Sequence, residues 1–206
     1  MDGSAIIASL ALSLGAAWCS GINLYATVAV LGLLHRFTDF DLPPGMEPLA
    51  SLWVLIPAVV LYCVEFIADK VPAVDSTWDV IQTFIRVPAG ALLAAMALGD
   101  VPVELQLMAI LLGGSVAFGA HATKATTRLA THATGTSPVL GPVLSVVEDL
   151  IVGFTVLLVA VHPLVALGLL SLMLVGAFFV VRALWRVARR AGSSLLSFVR
   201  GRPAAA

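Results

Sequence analysis

The sequence predicts an all-α bundle that crosses a lipid bilayer about six times. Three observations carry that prediction. Sixty per cent of the residues are hydrophobic and 11% are charged, against roughly 25% charged in an ordinary globular domain. A soluble fold of 206 residues has no interior large enough for so much apolar surface, whereas hydrocarbon is itself apolar. The apolar residues also gather in six stretches, each near the length of about 20 residues that spans a bilayer as helix. Residues that end helices separate those stretches.

The first stretch, 4–34, has no basic flank before it and begins directly after Asp2. It reads as a retained span and not as a signal peptide. The second, 49–68, follows Pro43-Pro44-Gly45. The third, 77–98, follows Pro72, with Asp75 or Ser76 as its cap and Asp79 in its first turn, where the helix dipole favours an anion. Gly99 through Pro102 introduce the fourth, 104–130. Gly135 through Pro138 introduce the fifth, 138–161, and His162-Pro163 the sixth, 163–186. The first and fourth are long enough to tilt, break or project. Cys19 and Cys63 each lie in an apolar stretch, which predicts buried packing, and no CxxC or zinc-finger spacing occurs. Trp53, Trp78 and Trp185 fit interfacial anchors, and His35, His132 and His162 fall at solvated span ends.

Orientation follows from the basic residues. The tail carries Arg182, Arg186, Arg189, Arg190, Arg200 and Arg202, which assigns the C-terminus to the cytoplasm. Six spans then assign the N-terminus there too, with loops 35–48 and 99–103 outside. The expected location is a bacterial inner membrane. A weak repeat accompanies this layout. Leu14-Gly15, Gly21 and Asn23 match Leu112-Gly113, Gly119 and His121 at an offset of 98, and Val64-Glu65 matches Val147-Glu148 at 83. Ala17 and Gly21 pair with Ser115 and Gly119 as small residues four apart, a spacing that lets helices approach closely. The reading is a 3+3 inverted repeat: 1–99 as the first half, 100–190 as the second, and 191–206 as a basic tail. Inverted repeats frame a solute site in many secondary transporters.

Charge inside a bilayer is costly and usually functional. Here it falls in four groups: Glu65, Asp69 and Lys70; Asp79 with Arg86; His121, Lys124 and Arg128; and Glu148-Asp149. Glu65 and Asp69 share a helix face, as do His121, Lys124 and Arg128. Arg86 sits near mid-helix, two residues before Pro88, and requires a carboxylate from another segment, with Glu148 and Asp149 the leading candidates. A structural salt-bridge network is the alternative role, but buried ion pairs are weak stabilisers because desolvation offsets their attraction. Asn23 and Tyr25 line the polar region or make an interhelical hydrogen bond. No GxSxG, HExxH or GxxxxGK[ST] is present, and neither a cofactor nor a metal is expected.

The segment Glu65-Phe-Ile-Ala-Asp69-Lys70-Val-Pro72 with Asp75, Trp78-Asp79 and Arg86, followed by Gly119-Ala-His121, Lys124 and Glu148-Asp149, resembles an uncharacterised bacterial multi-pass membrane-protein family known as a domain of unknown function. The resemblance spans about 10–160 and implies no activity. Four functions stay open at this point. The first is a small permease for a small anion or anionic headgroup, proton-coupled through Glu65 and Glu148, with the repeat glutamates meeting at one polar cavity. The others are an ion channel, an enzyme acting on a lipid phosphate, and a scaffold. The expected partners are the bilayer, a charged solute or headgroup and a second copy of the chain; the net charge of −1 gives no attraction to nucleic acid.

Overall fold

The computed structural model describes the backbone of residues 3–199, and their side chains except at 72–77, 184, 185 and from 187 on. Six helices follow one another: α1 (Gly3–Phe37), α2 (Leu52–Ala68), α3 (Pro72–Ala97), α4 (Val103–Ala133), α5 (Ser137–Val161) and α6 (Pro163–Val199), with a 3₁₀ turn at Glu47–Ala50. No strand occurs among the described residues. Five helices are long and apolar enough to cross a membrane, and α2 is an apolar helix of 17 residues. Gly99 and Gly135 adopt φ of 67° and 69° just past the ends of α3 and α4. That left-handed geometry closes a helix at little cost for glycine. One expected boundary moves. α3 begins at Pro72 with Val71 as its cap, because proline's fixed φ suits the first helical position. The cap expected at Asp75 or Ser76 is thus already inside the helix, and those side chains lie outside the described residues, as do that of Trp185 and the tail side chains from 187 on.

The bundle is built around α1. Its most apolar window is 61% buried, against 17–33% in the other four long helices. α1 is not straight. Asn23 breaks it with φ −147° and ψ 99°, and the chain then turns back. A straight helix of 35 residues would separate its ends by about 52 Å, yet Ala5 and Asp41 line one cavity together with Leu98, Asp100 and Pro163. In the first half, residues 3–22, Ser13 Oγ donates to the Ala94 carbonyl at 2.9 Å and Ser20 Oγ to that of Arg86 at 3.1 Å, so this half descends against α3. In the second half, residues 24–37, Val28 and Leu49 share a cavity wall with Leu92 and Met96, and Gly32 touches Leu49 and Leu55. This half climbs back to the end from which α1 started. α1 is therefore a helical hairpin with its tip at Asn23.

Short turns make α2, α3, α4, α5 and α6 alternate in direction. The start of α1, loop 38–51, the α3–α4 turn and His162 share one end of the bundle. The α2–α3 and α4–α5 turns share the other, toward which α6 runs. The two ends of the described chain thus lie at opposite ends of the bundle, not together as the six-span reading expected. The repeat changes as well. Leu14–Asn23 and Leu112–His121 both run antiparallel to α3 and so parallel to each other, while the helices of Glu65 and Glu148 run in opposite directions. One two-fold operation cannot relate both matches.

Packing among α1, α3 and α4 depends on small residues. A Cβ on Gly21 would overlap the Ala117 carbonyl, one on Gly90 the Ala117 side chain, and one on Gly113 the Ala94 side chain. On α4 the close contacts are thus made by Ala117, toward both α1 and α3, and by Gly113, toward α3. The expected pair fails, since Ser115 is exposed and a Cβ at Gly119 meets open space; both sit on the opposite face. Cys19 is buried as expected, but Cys63 is exposed, because α2 lies at the rim of the bundle. His35 is half-buried and accepts the Leu42 amide at 3.2 Å, holding loop 38–42. The outer surface carries Leu111, Leu150, Phe84 and Leu172, each more than 60% exposed, as a lipid-facing belt requires. Overpacking a tight contact costs about 1–3 kcal/mol, so Gly21→Val is expected to lower the melting temperature in detergent while Gly119→Ala leaves it unchanged. Equal melting of the two variants would contradict this packing.

Candidate functional site

The site begins at the break in α1. Asn23 leaves helical geometry, and its side-chain oxygen accepts the Ala26 amide at 2.9 Å, an N-cap on the second half-helix. Thr27 Oγ1 takes the Asn23 carbonyl at 2.7 Å. The Asn23 amide group donates to Asp149 Oδ1 at 2.9 Å, and Tyr62 donates to Asp149 Oδ2 at 3.1 Å. A carboxylate thus stands by the positive end of the second half-helix. On the other side of the break, the Ile22 carbonyl accepts Lys124 Nζ at 3.3 Å. A cation stands at the negative end of the first half-helix. Irregular backbone inside a bilayer survives only where protein or water satisfies it; Lys124 does so for the Ile22 carbonyl and the Asn23 side chain for the Ala26 amide.

Lys124 is the hub of the cluster. Its ammonium lies 3.1 Å from Asp69 Oδ2, 3.3 Å from Glu148 Oε2 and 3.6 Å from Glu65 Oε1. One turn further along α4, Arg128 Nη2 bonds Asp69 Oδ2 at 3.0 Å and Glu148 Oε2 at 2.7 Å, and its Nη1 reaches the Asp69 carbonyl at 3.2 Å. Arg86 of α3 pairs with Glu65 of α2 and stands 3.7 Å from Asp79. Glu65 and Arg86 are both 0% exposed. Arg86 Nη1 also donates to His121 Nδ1 at 3.2 Å. An arginine only donates, so that nitrogen carries no proton, and His121 Nε2 is the N–H directed at Thr83 Oγ1, 2.7 Å away. Thr83 passes its own hydrogen to the Asp79 carbonyl at 2.9 Å, and Gln82 Nε2 donates to Tyr25 at 3.2 Å.

Nine of the ten residues singled out in the sequence converge on this network. The exception is Lys70, whose ammonium rests on the Phe66 ring and bonds the Phe66 carbonyl at 2.9 Å. The partner of Arg86 is also corrected: it is Glu65 together with Asp79, not Glu148 or Asp149, because the α1 hairpin stands between α3 and α5. Glu65 and Glu148 come together through Lys124. Sequence reasoning missed Tyr62, Thr83 and Gln82, and the main-chain carbonyl of Ile22. Gln82 and Thr83 lie one turn before Arg86 on its face, a pattern the sequence displays. The carbonyl leaves no trace in residue identity.

The balance of charge is uneven. Glu65, Asp69, Asp79, Glu148 and Asp149 face Arg86, Lys124 and Arg128, and Lys70 acts on Asp69 and Asp149 from outside these contacts, which leaves a formal excess of one negative charge. Glu65 Oε2, Asp69 Oδ1 and Asp79 Oδ1 are buried without a hydrogen bond. Each of the three basic groups, by contrast, already holds a carboxylate. Among the described residues no three His, Cys, Asp or Glu form a metal-ligand group. Two cavities flank the cluster. One of about 260 Å³ touches Asp79, His121 and Arg128 between α3 and α4; another of about 200 Å³ touches Lys124 and Glu148.

Breaking a buried pair strands a charge and costs about 3–5 kcal/mol. Arg86→Gln is therefore expected to melt well below wild type in detergent, and adding Glu65→Gln is expected to recover part of that loss. A double variant no more stable than the single one would contradict the pairing.

The motifs of this network lie within a longer similarity. A family model described as "Domain of unknown function (DUF4126)" matches residues 10–183. No curated protein and no solved structure matches the chain. The matched residues run from the first half of α1 into α6 and take in the whole ionic cluster, so the chain belongs to this family of unknown function.

Proposed function

We propose that this chain is a small secondary transporter of the bacterial inner membrane, and that its solute is a small cation. The observation that carries the reading is the acidic excess at the tip of a broken helix, with three buried carboxylate oxygens lacking a hydrogen bond. A permease for anions was the expectation from the basic residues alone. Those residues are engaged by carboxylates, and an anion or a lipid phosphate would have to displace them. A cation needs only to join the acids. Broken helices whose ends face charged groups are a recurrent transporter device. Glu148, whose side chain is 13% exposed against 0% for Glu65 and 4% for Asp69, is the acid best able to exchange a proton with the flanking cavity, which would couple transport to a proton gradient.

The proposed topology has α2 to α6 as five crossings and α1 as a re-entrant hairpin. The C-terminus is cytoplasmic by its arginines and the N-terminus is external. Up to Arg36 the chain contains no Lys or Arg, so the basic-residue rule does not hold that end inside. The inverted 3+3 relation then takes a different form: the second half of α1 with α2 and α3, against α4 with α5 and α6.

In proteoliposomes, an imposed pH gradient is expected to drive uptake of one or more small organic or inorganic cations. Glu148→Gln and Asp69→Asn are expected to reduce that uptake at least tenfold, a loss of about 1.4 kcal/mol or more in transition-state terms. No flux across a broad cation panel, or flux of anions alone, would overturn the reading. Single cysteines at Ser4 and Ala204, in a Cys63→Ser background, are expected to react with an impermeant thiol reagent from opposite sides of the membrane. Labelling from one side would contradict the topology.

A further inference from the structure

We infer that α6 beyond its apolar span, from Arg182 to Arg190, is a binding surface for the phosphate groups of anionic phospholipids. This surface lies apart from the ionic cluster, and its role is independent of the transporter reading.

Charge is divided unevenly along the chain. All twelve acids and five of the eleven basic residues precede Leu150. The six basic residues after it are all arginine, with no Lys, Asp or Glu among them. The earlier cations are engaged. Arg86, Lys124 and Arg128 hold carboxylates, and Lys70 rests on the Phe66 ring. Arg36 lies over the Phe37 ring and reaches the Ala50 carbonyl at 3.4 Å. Arg182 and Arg186 are exposed, and among the described residues neither has a carboxylate partner. Arg186 Nε donates to the Arg182 carbonyl at 3.4 Å. That bond draws the guanidinium back toward the apolar span and leaves most of its N–H donors for another acceptor.

The length of α6 brings these arginines to the bilayer surface. Its apolar part, Pro163–Ala183, has 21 residues, about 31 Å of helix, which matches a hydrocarbon thickness of about 30 Å. The helix then continues to Val199, about 24 Å further. The headgroup layer on each side of the hydrocarbon is about 5–8 Å deep, so Arg182 and Arg186 fall within it and Arg189 and Arg190 follow in the next turn. At about 3.6 residues per turn these four positions share one face of the backbone helix, and Leu184, Ala191 and Leu195 occupy the opposite one. A basic face backed by an apolar one is the pattern of helices that sit at an anionic bilayer surface. Topology alone asks only for positive charge, which lysine supplies equally well. Guanidinium adds a planar fork that engages two phosphate oxygens at once.

The test equilibrates full-length protein in detergent micelles with equal amounts of phosphatidylglycerol and phosphatidylcholine and counts the retained lipids by native mass spectrometry. Phosphatidylglycerol is expected to be retained in preference. Arg182→Gln, Arg186→Gln, Arg189→Gln and Arg190→Gln together are expected to lower that preference roughly tenfold or more, while the melting temperature in phosphatidylcholine alone stays at the wild-type value. The same four positions changed to Lys are expected to keep part of the preference, and Arg36→Gln, a basic residue elsewhere, is expected to keep all of it. A preference that is absent in wild type, or that survives the four Gln substitutions, would overturn the lipid surface. Lys substitutions that retain phosphatidylglycerol as well as wild type does would overturn the role of the guanidinium fork. Loss of a dimeric mass in the Gln variant, with bound lipid unchanged, would assign this face to a second copy of the chain instead. None of these readouts involves cation flux, so failure of the lipid surface leaves the transporter reading standing.

Discussion

The ammonium of Lys124 joins four segments of the chain at one point. From α4 it reaches Asp69 and Glu65 of α2, Glu148 of α5 and the Ile22 carbonyl at the break in α1. Arg128 repeats the links to Asp69 and Glu148, and Asp149 ties α5 to Asn23 and Tyr62; apolar side chains alone specify helix register weakly in lipid, because hydrocarbon is as good a neighbour as leucine. Taking these charges out of water costs several kcal/mol per ion, and only mutual contact offsets it. The cluster therefore fixes which faces meet, and the glycine contacts of α1 with α3 and α4 then close the distance. Among the described residues, Arg86, Arg128 and the acids around them extend the same constraint toward α3 and the α2–α3 turn.

The hairpin follows from this constraint. Reversing a helix in the middle of a membrane exposes a carbonyl at the end of one half and amide groups at the start of the next. Lys124 answers the first and the Asn23 side chain the second, with Asp149 held against the tip by Asn23 and Tyr62. Half-helix ends and buried charges thus stabilise one another, and neither is a reasonable local structure alone. The result is an acidic cluster at the tip of a hairpin, flanked by two cavities.

Much of this was legible in the sequence. Six apolar stretches and the residues between them gave the helices, with Gly99 and Gly135 ending α3 and α4 where the pattern required. Nine of the ten charged or titratable residues singled out lie in the network, because charge in an apolar stretch stands out without any knowledge of neighbours. Partners were harder. Arg86 needed an acid, but α2 and α5 each offered one, and only the position of the hairpin between α3 and α5 decides for Glu65. The reversal of α1 was not legible. A helix buried on all sides shows no amphipathic face whose direction could be seen to change, and Asn23 resembles an ordinary polar residue in a long span. The repeat misled for a related reason: Gly21 with Asn23 and Gly119 with His121 match as letters, but letters do not record the direction of a helix.

The most direct test of a cation site in this cluster is charge movement itself. Protein reconstituted into vesicles on a solid-supported membrane, given a concentration jump of the cation found in the uptake panel, is predicted to produce a transient inward-directed current. Glu148→Gln, verified as folded by its elution and melting profile, is predicted to produce none. A current of unchanged size and decay in that variant would show that the cation crosses, or binds, elsewhere, and would contradict the account.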